Sequence, residues 1–331
     1  MAVYTHLGAE ELAELIAAYD VGTLLSAKGI AEGVSNSNWL LETDGAGDEA
    51  PSRFILTMYE RRIDLADLPY FLGLLDHLAG KGCPVPRTIH DRDGALFRTV
   101  SVGNGPEPAP KAVALIEFLP GVSPTRPSPQ QVRAVGETLA RMHLASTDYA
   151  QSRTNTMDFA ANRDTLERCP VEGLAAIDPD LPAMIGPARA AAALDLGNLP
   201  RAQIHADLFP DNVLMLGDTV TGLIDFYFAC TGPMALDLAT THAAWCFDEA
   251  GGYRADLGNA LVEGYGSVRE LEPAERHLMP QIAKGAALRF VASRAEDWLD
   301  TPDDALVTRK NPMDFVARWR FYDESGAQVF A

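Results

Sequence analysis

The sequence predicts an α+β chain in two lobes, a small β-rich lobe over residues 1–118 and a larger helical lobe over 119–331. Three observations lead there. Strand-like runs crowd the first third. Apolar residues at helical spacing dominate the remainder. Between the two, Leu119-Pro120-Gly121 ends a strand on a breaker pair. Strands gathered ahead of helices favour an α+β architecture over alternating βαβ units.

An amphipathic stretch from Ala9 to Tyr19 opens the chain as a helix. Leu24 to Glu42 then holds two strand-like runs around Gly29-Ile30-Ala31-Glu32-Gly33, and Arg53 to Tyr59 is a third run. Leu68, Phe71, Leu72, Leu75 and Leu78 share one face of a helix over Leu65–Ala79. Leu96–Val100 and Ala112–Phe118 complete the strands. In the second lobe Ser128-Pro129 supplies a cap and a first-turn proline. Helices are predicted over Gln130–Leu144, Leu181–Leu196, Leu236–Phe247, Asp256–Tyr265 and Glu275–Leu299.

At 331 residues the chain can bury a sizeable core. Its formal charge of −19 argues against DNA, RNA or an anionic membrane as partner. Spread over a surface, such acidity speaks for solubility more than for a cationic substrate. The N-terminus shows neither the basic nor the apolar region of a signal peptide, and no apolar run approaches a membrane span. Cys83, Cys169, Cys230 and Cys246 are scattered without a C-x-x-C pair, so they read as reduced packing thiols and the chain as cytoplasmic.

The chemistry is concentrated in Ile204–Leu214, I-H-A-D-L-F-P-D-N-V-L, and in Leu223–Phe226, L-I-D-F. Asp207 is followed by Asn212 and then by Asp225, the spacing of enzymes that move a phosphoryl group from ATP. Two apolar runs flank Gly217-Asp218-Thr219, which predicts a β-hairpin with one strand beginning after Asn212 and the other ending at Asp225. Such a hairpin brings Asn212 and Asp225 together as oxygen ligands for Mg²⁺, which takes one or two protein oxygens beside phosphate and water. Asp207, on the loop leading in, is placed to orient an acceptor hydroxyl and receive its proton. His205 reads as a packed scaffold residue, since the mechanism does not require it.

Other segments carry weaker signals. The loop from Gly29 through Gly33, Ser35, Asn36 and Asn38 joins two strands and can cover a triphosphate with its backbone N–H groups. At the lobe junction, the Glu117 carbonyl and the Leu119 N–H could pair with an adenine edge. Trp245, Trp298 and Trp319 lie on helical patterns and read as core. Arg289 and Arg294 sit on the Glu275–Leu299 helix, where a surface ion pair is the default.

Taken together, His205 to Leu214 with Ile224-Asp225-Phe226 resembles the aminoglycoside phosphotransferase-like branch of the protein-kinase fold. Leu139-Ala140-Arg141-Met142-His143 and Ala235-Leu236-Asp237-Leu238-Ala239 support the match. Within that branch the chain is most similar to type II homoserine kinases, through Gly33 to Trp39, Phe54 to Arg62, Asp225 to Cys230 and Ser293 to Leu299. The resemblance implies a bilobal fold with a five-stranded sheet and a helix in the first lobe, and ATP in the cleft. It further implies Mg·ATP and L-homoserine as substrates and O-phosphohomoserine as product, a step of threonine biosynthesis. Arg294 is the candidate for the acceptor's carboxylate.

One departure stands out. Thr57 occupies the position of the strand lysine that kinases pair with a helix glutamate, and the helix from Leu65 offers no such glutamate. Losing both partners together is coherent, because a lone buried charge is costly. Lys28, Arg61 or Arg62 is expected to supply the missing positive charge. The rival readings are a kinase of another small hydroxyl compound (choline, an aminoglycoside, methylthioribose or hydroxylysine) and a non-catalytic nucleotide-binding module.

Overall fold

The opening amphipathic stretch, Ala9–Ile16, forms helix α1 and buries Leu12, Leu15 and Ile16 along one face. The structure is a computed structural model that describes residues 7–30, 36–46, 51–60, 64–102, 109–302 and 309–330. Its chain divides into two compact units, Met1–Gly121 with Thr221–Tyr227, and Val122–Val220 with Phe228–Ala331.

In the first unit, β1 (Leu24–Ile30), β2 (Asn36–Thr43) and β3 (Ser52–Tyr59) run antiparallel, followed by helix α2 (Leu68–Gly80), β4 (Thr88–Ile89), β5 (Arg98–Val102) and β6 (Ala109–Glu117). The sheet order is β1-β2-β3-β6-β4, with β5 also on β6. Six strands therefore stand where five were expected. The extra one, β4, is two residues long, too short to show periodicity. α1 covers one face of the sheet, with Leu12, Leu15 and Ile16 against Trp39, Leu41, Leu56, Met58, Val113 and Leu115. Leu68 and Leu72 of α2 pack with Tyr59, Ala112 and Ala114, which lie on the opposite face by strand alternation. Each buried leucine contributes about 1.5–3 kcal/mol.

The second unit is mostly helical. Ser128 caps α3 (Pro129–Ala145) by accepting from the Gln131 N–H at 3.2 Å, while the Gln131 side chain returns to the Ser128 N–H. Two helices absent from the sequence reading follow, α4 (Phe159–Arg168) and α5 (Val171–Ile177). The helix expected over 181–196 is instead a 3₁₀ turn running into α6 (Ile185–Ala192). Next come β7 (Arg201–Ile204), β8 (Val213–Leu216), β9 (Thr219–Leu223) and β10 (Cys230–Pro233), with β7 paired to β10 and β8 to β9. The closing helices are α7 (Met234–Trp245), α8 (Ala255–Gly266), α9 (Pro273–Asp300) and α10 (Met313–Val329), the last carrying Trp319. α9 is the hub, packed by α4, α6, α7 and α10. Among the described residues, no helix is long and apolar enough to cross a membrane.

Candidate active site

The second unit builds the loop that carries Asp207. β7 and β10 are antiparallel, with Ile204 opposite Cys230, and the chain leaves β7 directly into His205. Ala206 sits at φ 64, a left-handed conformation uncommon for a residue with a side chain. That backbone is gripped from α7. Asp237 accepts the N–H of His205 at 2.7 Å and the N–H of Ala206 at 2.8 Å. Its carboxylate is fully buried and also meets His143 Nε2 of α3 at 3.0 Å, while His143 Nδ1 lies 2.9 Å from the Tyr265 hydroxyl of α8. Burial works to raise the Asp237 carboxyl, but the His143 hydrogen bond and charge, with His205, hold it below the ordinary carboxylate range.

Further contacts fix the rest of the loop. The Asp207 N–H donates to Nδ1 of His205, a residue with no exposed surface. Trp245 Nε1 donates to the Leu208 carbonyl at 2.8 Å, so this tryptophan is core and loop support at once. Asn212 Nδ2 donates to the Asp207 carbonyl at 2.8 Å. One of the two amide hydrogens is used in this bond, and Oδ1 is the side chain's acceptor atom. The Asp207 side chain is 20% exposed, and its Oδ1 lies 3.3 Å from Nη2 of Arg289 on α9.

Arg289 corrects the sequence reading. A surface ion pair is the expectation, yet the residue is 5% exposed and reaches the Asp207 loop. Nη1 donates to the Ala206 carbonyl, and the guanidinium lies 5.1 Å from the Phe228 ring and 4.7 Å from the Phe290 ring. Burial pulls its pKa below the usual arginine value, with the Asp207 charge opposing. The missed signal was a lone charge inside the apolar run Ala286-Ala287-Leu288-Arg289-Phe290-Val291-Ala292, which calls for a buried partner. Arg294 lies on the same helix, with Nη1 2.9 Å from both the Asn311 carbonyl and Asp314 Oδ2, and its guanidinium 4.6 Å from the Phe315 ring.

The first unit holds the remaining sequence-selected residues. Gly29 pairs with Trp39, Asn36 with Tyr59, and Asn38 with both Ile30 and Thr57. Gly33, Ser35, Arg61 and Arg62 lie outside the described residues. Thr57 Oγ1 donates to Asn38 Oδ1 at 2.9 Å. Lys28 is exposed and pairs with Leu40, which pairs with Ile55, so strand alternation puts it on the Thr57 face.

On that face Tyr59 stands edge-on to Tyr227 at 5.6 Å, and Tyr227 edge-on to Phe71 at 5.9 Å. Burial pushes both phenols up, Tyr227 to about 12, so the pair stays neutral. The Thr57, Tyr59 and Tyr227 cluster is uncharged, and a lysine–glutamate pair stands on other residues, with Lys111 Nζ of β6 2.8 Å from Glu60 Oε2. Asp225, two residues beyond β9, is held at φ 66, the second non-glycine residue with positive φ among those described. At the end of β6, the Glu117 N–H donates to the Arg87 carbonyl at 2.9 Å.

An HxDxxxxN loop anchored on a buried helix aspartate, in a chain that also carries a six-stranded sheet, is the framework of a phosphoryl-transfer protein. The chain matches the phosphotransferase enzyme family over residues 26–271 and belongs to it. It is 44% identical to the homoserine kinase of Acidiphilium cryptum over 331 residues, covering 99% of this chain and 98% of that protein. It is 42% identical to the homoserine kinase of Zymomonas mobilis, covering 99% of each. Among solved structures it is similar to the amicoumacin kinase hAmiN in complex with AMP-PNP, Ca²⁺ and Ami, with TM-score 0.70, 14% identity, and coverage of 96% of this chain and 94% of that one. The fold is thus that of aminoglycoside-type kinases.

Proposed function

We propose that this protein is an ATP-dependent homoserine kinase that phosphorylates the side-chain hydroxyl of L-homoserine and so serves threonine biosynthesis. The observation that carries the chemistry is the half-buried Asp207 carboxylate on a loop locked by Asp237. The choice of acceptor is supported by the homoserine kinases to which the chain is similar along its whole length. Those relatives also disfavour the rival acceptors and the non-catalytic reading.

Asp207 accepts a hydrogen bond from the acceptor hydroxyl, aligns its oxygen on the γ-phosphorus of ATP and receives its proton as the bond to phosphorus forms and ADP leaves. In-line positioning supplies most of the rate. Asn212 Oδ1 and the Asp225 carboxylate are hard oxygen donors, a set that fits Mg²⁺. Bound there, the ion would neutralise charge on the phosphates. Gly29, Gly33, Ser35, Asn36 and Asn38 are the proposed phosphate cover, and Glu117 and Leu119 the proposed adenine contacts. Lys28, Arg61 and Arg62 remain the candidate anchors for the charge that Thr57 does not provide.

For Arg294 to take the acceptor's carboxylate it must exchange Asp314 for the substrate, one carboxylate for another. An Arg294→Ala variant with unchanged KM for homoserine would remove that role. The overall proposal is tested by incubating the protein with Mg·ATP and L-homoserine and identifying the product by ³¹P NMR. A phosphomonoester on the homoserine oxygen is expected. ATP consumption without it would refute the assignment.

A further inference from the structure

A buried arginine is an expensive way to fill a helix interior. Its guanidinium loses water, and an apolar side chain of similar volume usually serves stability as well or better. At Arg289 the expense is greater still, because Nε is buried with no hydrogen-bond partner among the described residues. The charge is retained where it does one thing that no apolar residue can. Its two terminal nitrogens bridge consecutive residues of the loop, Nη1 to the Ala206 carbonyl and Nη2 to Asp207 Oδ1.

The peptide so bridged is the strained one. Ala206, at φ 64, has its N–H held by Asp237 at 2.8 Å and its carbonyl held by Arg289. Relaxation to an ordinary conformation would break one grip or the other. The guanidinium is itself fixed in plane, since Phe228 and Phe290 lie within cation–π distance. A carboxylate has two equivalent oxygens and two soft torsions, and one anchored oxygen removes that freedom.

We infer that Arg289 is the positioning residue of the reaction: by holding Asp207 Oδ1 and the Ala206 carbonyl in one fork, it aims Oδ2 at the acceptor hydroxyl. This rests on the reading of Asp207 as the proton acceptor. A lysine cannot substitute, because a point charge on a flexible stem lacks the planar fork that spans two acceptors.

The test uses the full-length protein with Arg289→Ala and Arg289→Lys, compared with Asp207→Asn. Both Arg289 variants are expected to lose about 100-fold in kcat, the loss that accompanies misplacement of a reacting group by roughly 1 Å. KM for ATP should stay within about twofold, because only transition-state alignment is lost. Added guanidinium at tens of millimolar should restore about tenfold of the Arg289→Ala rate, while equal sodium or ammonium chloride should not, as neither offers the fork.

Wild-type kcat in Arg289→Lys, or a folded Arg289→Ala whose loss guanidinium leaves unchanged, overturns the inference. So does failure of both variants to fold, which would make Arg289 a structural residue only. Retained turnover in Asp207→Asn would instead overturn the proton-acceptor reading. An inactive Asp207→Asn beside fully active Arg289 variants would sink the fork alone.

Discussion

Asp237 and Ala206 are joined by a 2.8 Å hydrogen bond from a backbone N–H to a carboxylate without solvent exposure, across 31 residues of sequence. The same carboxylate takes the His205 N–H, so one side chain of α7 sets the backbone that presents Asp207. Replacing it by asparagine keeps the shape but puts a neutral amide opposite two N–H donors and His143. Breaking a buried, hydrogen-bonded ion site in this way costs about 3–5 kcal/mol. Asp237→Asn should therefore show a clear loss of urea stability at neutral pH together with a fall in kcat. The pH dependence has a definite sign. A carboxyl held below its ordinary value stabilises the fold above the unfolded pKa and loses that contribution as pH falls through the folded pKa. Denaturation curves taken from pH 7 downward should show an acid limb in the wild type that is reduced in the variant, and identical limbs would contradict the assignment.

His242 gives the second pH-dependent expectation. It is fully buried, its Nδ1 lies 2.7 Å from the Tyr322 hydroxyl, and burial lowers its pKa to about 3. The unfolded chain takes a proton near the ordinary value while the folded chain refuses it, so stability falls as pH drops through the window from 6.5 to about 3. At pH 5 the loss is about 2 kcal/mol, from roughly 1.4 kcal/mol per pH unit. His242→Gln keeps a hydrogen-bonding group for Tyr322 without titrating. Its stability should vary less with pH across that window, and an unchanged slope in urea denaturation would be evidence against a buried neutral His242.

Asn212 separates metal binding from loop architecture. Asn212→Ala removes one proposed Mg²⁺ oxygen and one neutral hydrogen bond, the latter worth about 1 kcal/mol. Magnesium titrations of activity should shift to higher concentration, with partial recovery at saturation. A variant whose Mg²⁺ dependence matches the wild type would assign Asn212 to the loop only.

The α3–α8 contact depends on two absent side chains. A Cβ on Gly264 would lie 2.2 Å from the Arg133 carbonyl oxygen, and one on Gly136 would lie 2.3 Å from that of Leu261. Neither backbone can yield without parting the helices that carry His143 and Tyr265. Gly264→Ala should destabilise by about 1–3 kcal/mol, the range for overpacked interiors. Calorimetry showing an unchanged Tm would contradict this packing.

What the sequence disclosed and what it hid follow a physical divide. Local signals were readable: the Ser128 cap, the β1–β2 pair, and a hairpin whose strand β8 begins right after Asn212. β9 ends at Leu223, two residues short of the expected Asp225, because Asp225 adopts a positive φ that leaves the ladder. Asp207 and Asn212 share a loop and could be paired from spacing alone. His143 and Asp237 were visible inside motif strings, yet their bond joins two helices 94 residues apart, which no local pattern encodes. Arg289 was misread because helix periodicity gives one buried face, whereas α9 is packed from several sides. The charge-free Tyr59–Tyr227 pair was hidden for the same reason, its partners being 168 residues apart.

The most direct measurement is coupled ADP release from Mg·ATP, run in parallel with L-homoserine, choline, methylthioribose and an aminoglycoside, for the wild type and Asp207→Ala. Saturable turnover with homoserine alone is expected, reduced about 10²–10⁴-fold by the substitution. Turnover with another acceptor and none with homoserine, or undiminished homoserine turnover in Asp207→Ala, would contradict it.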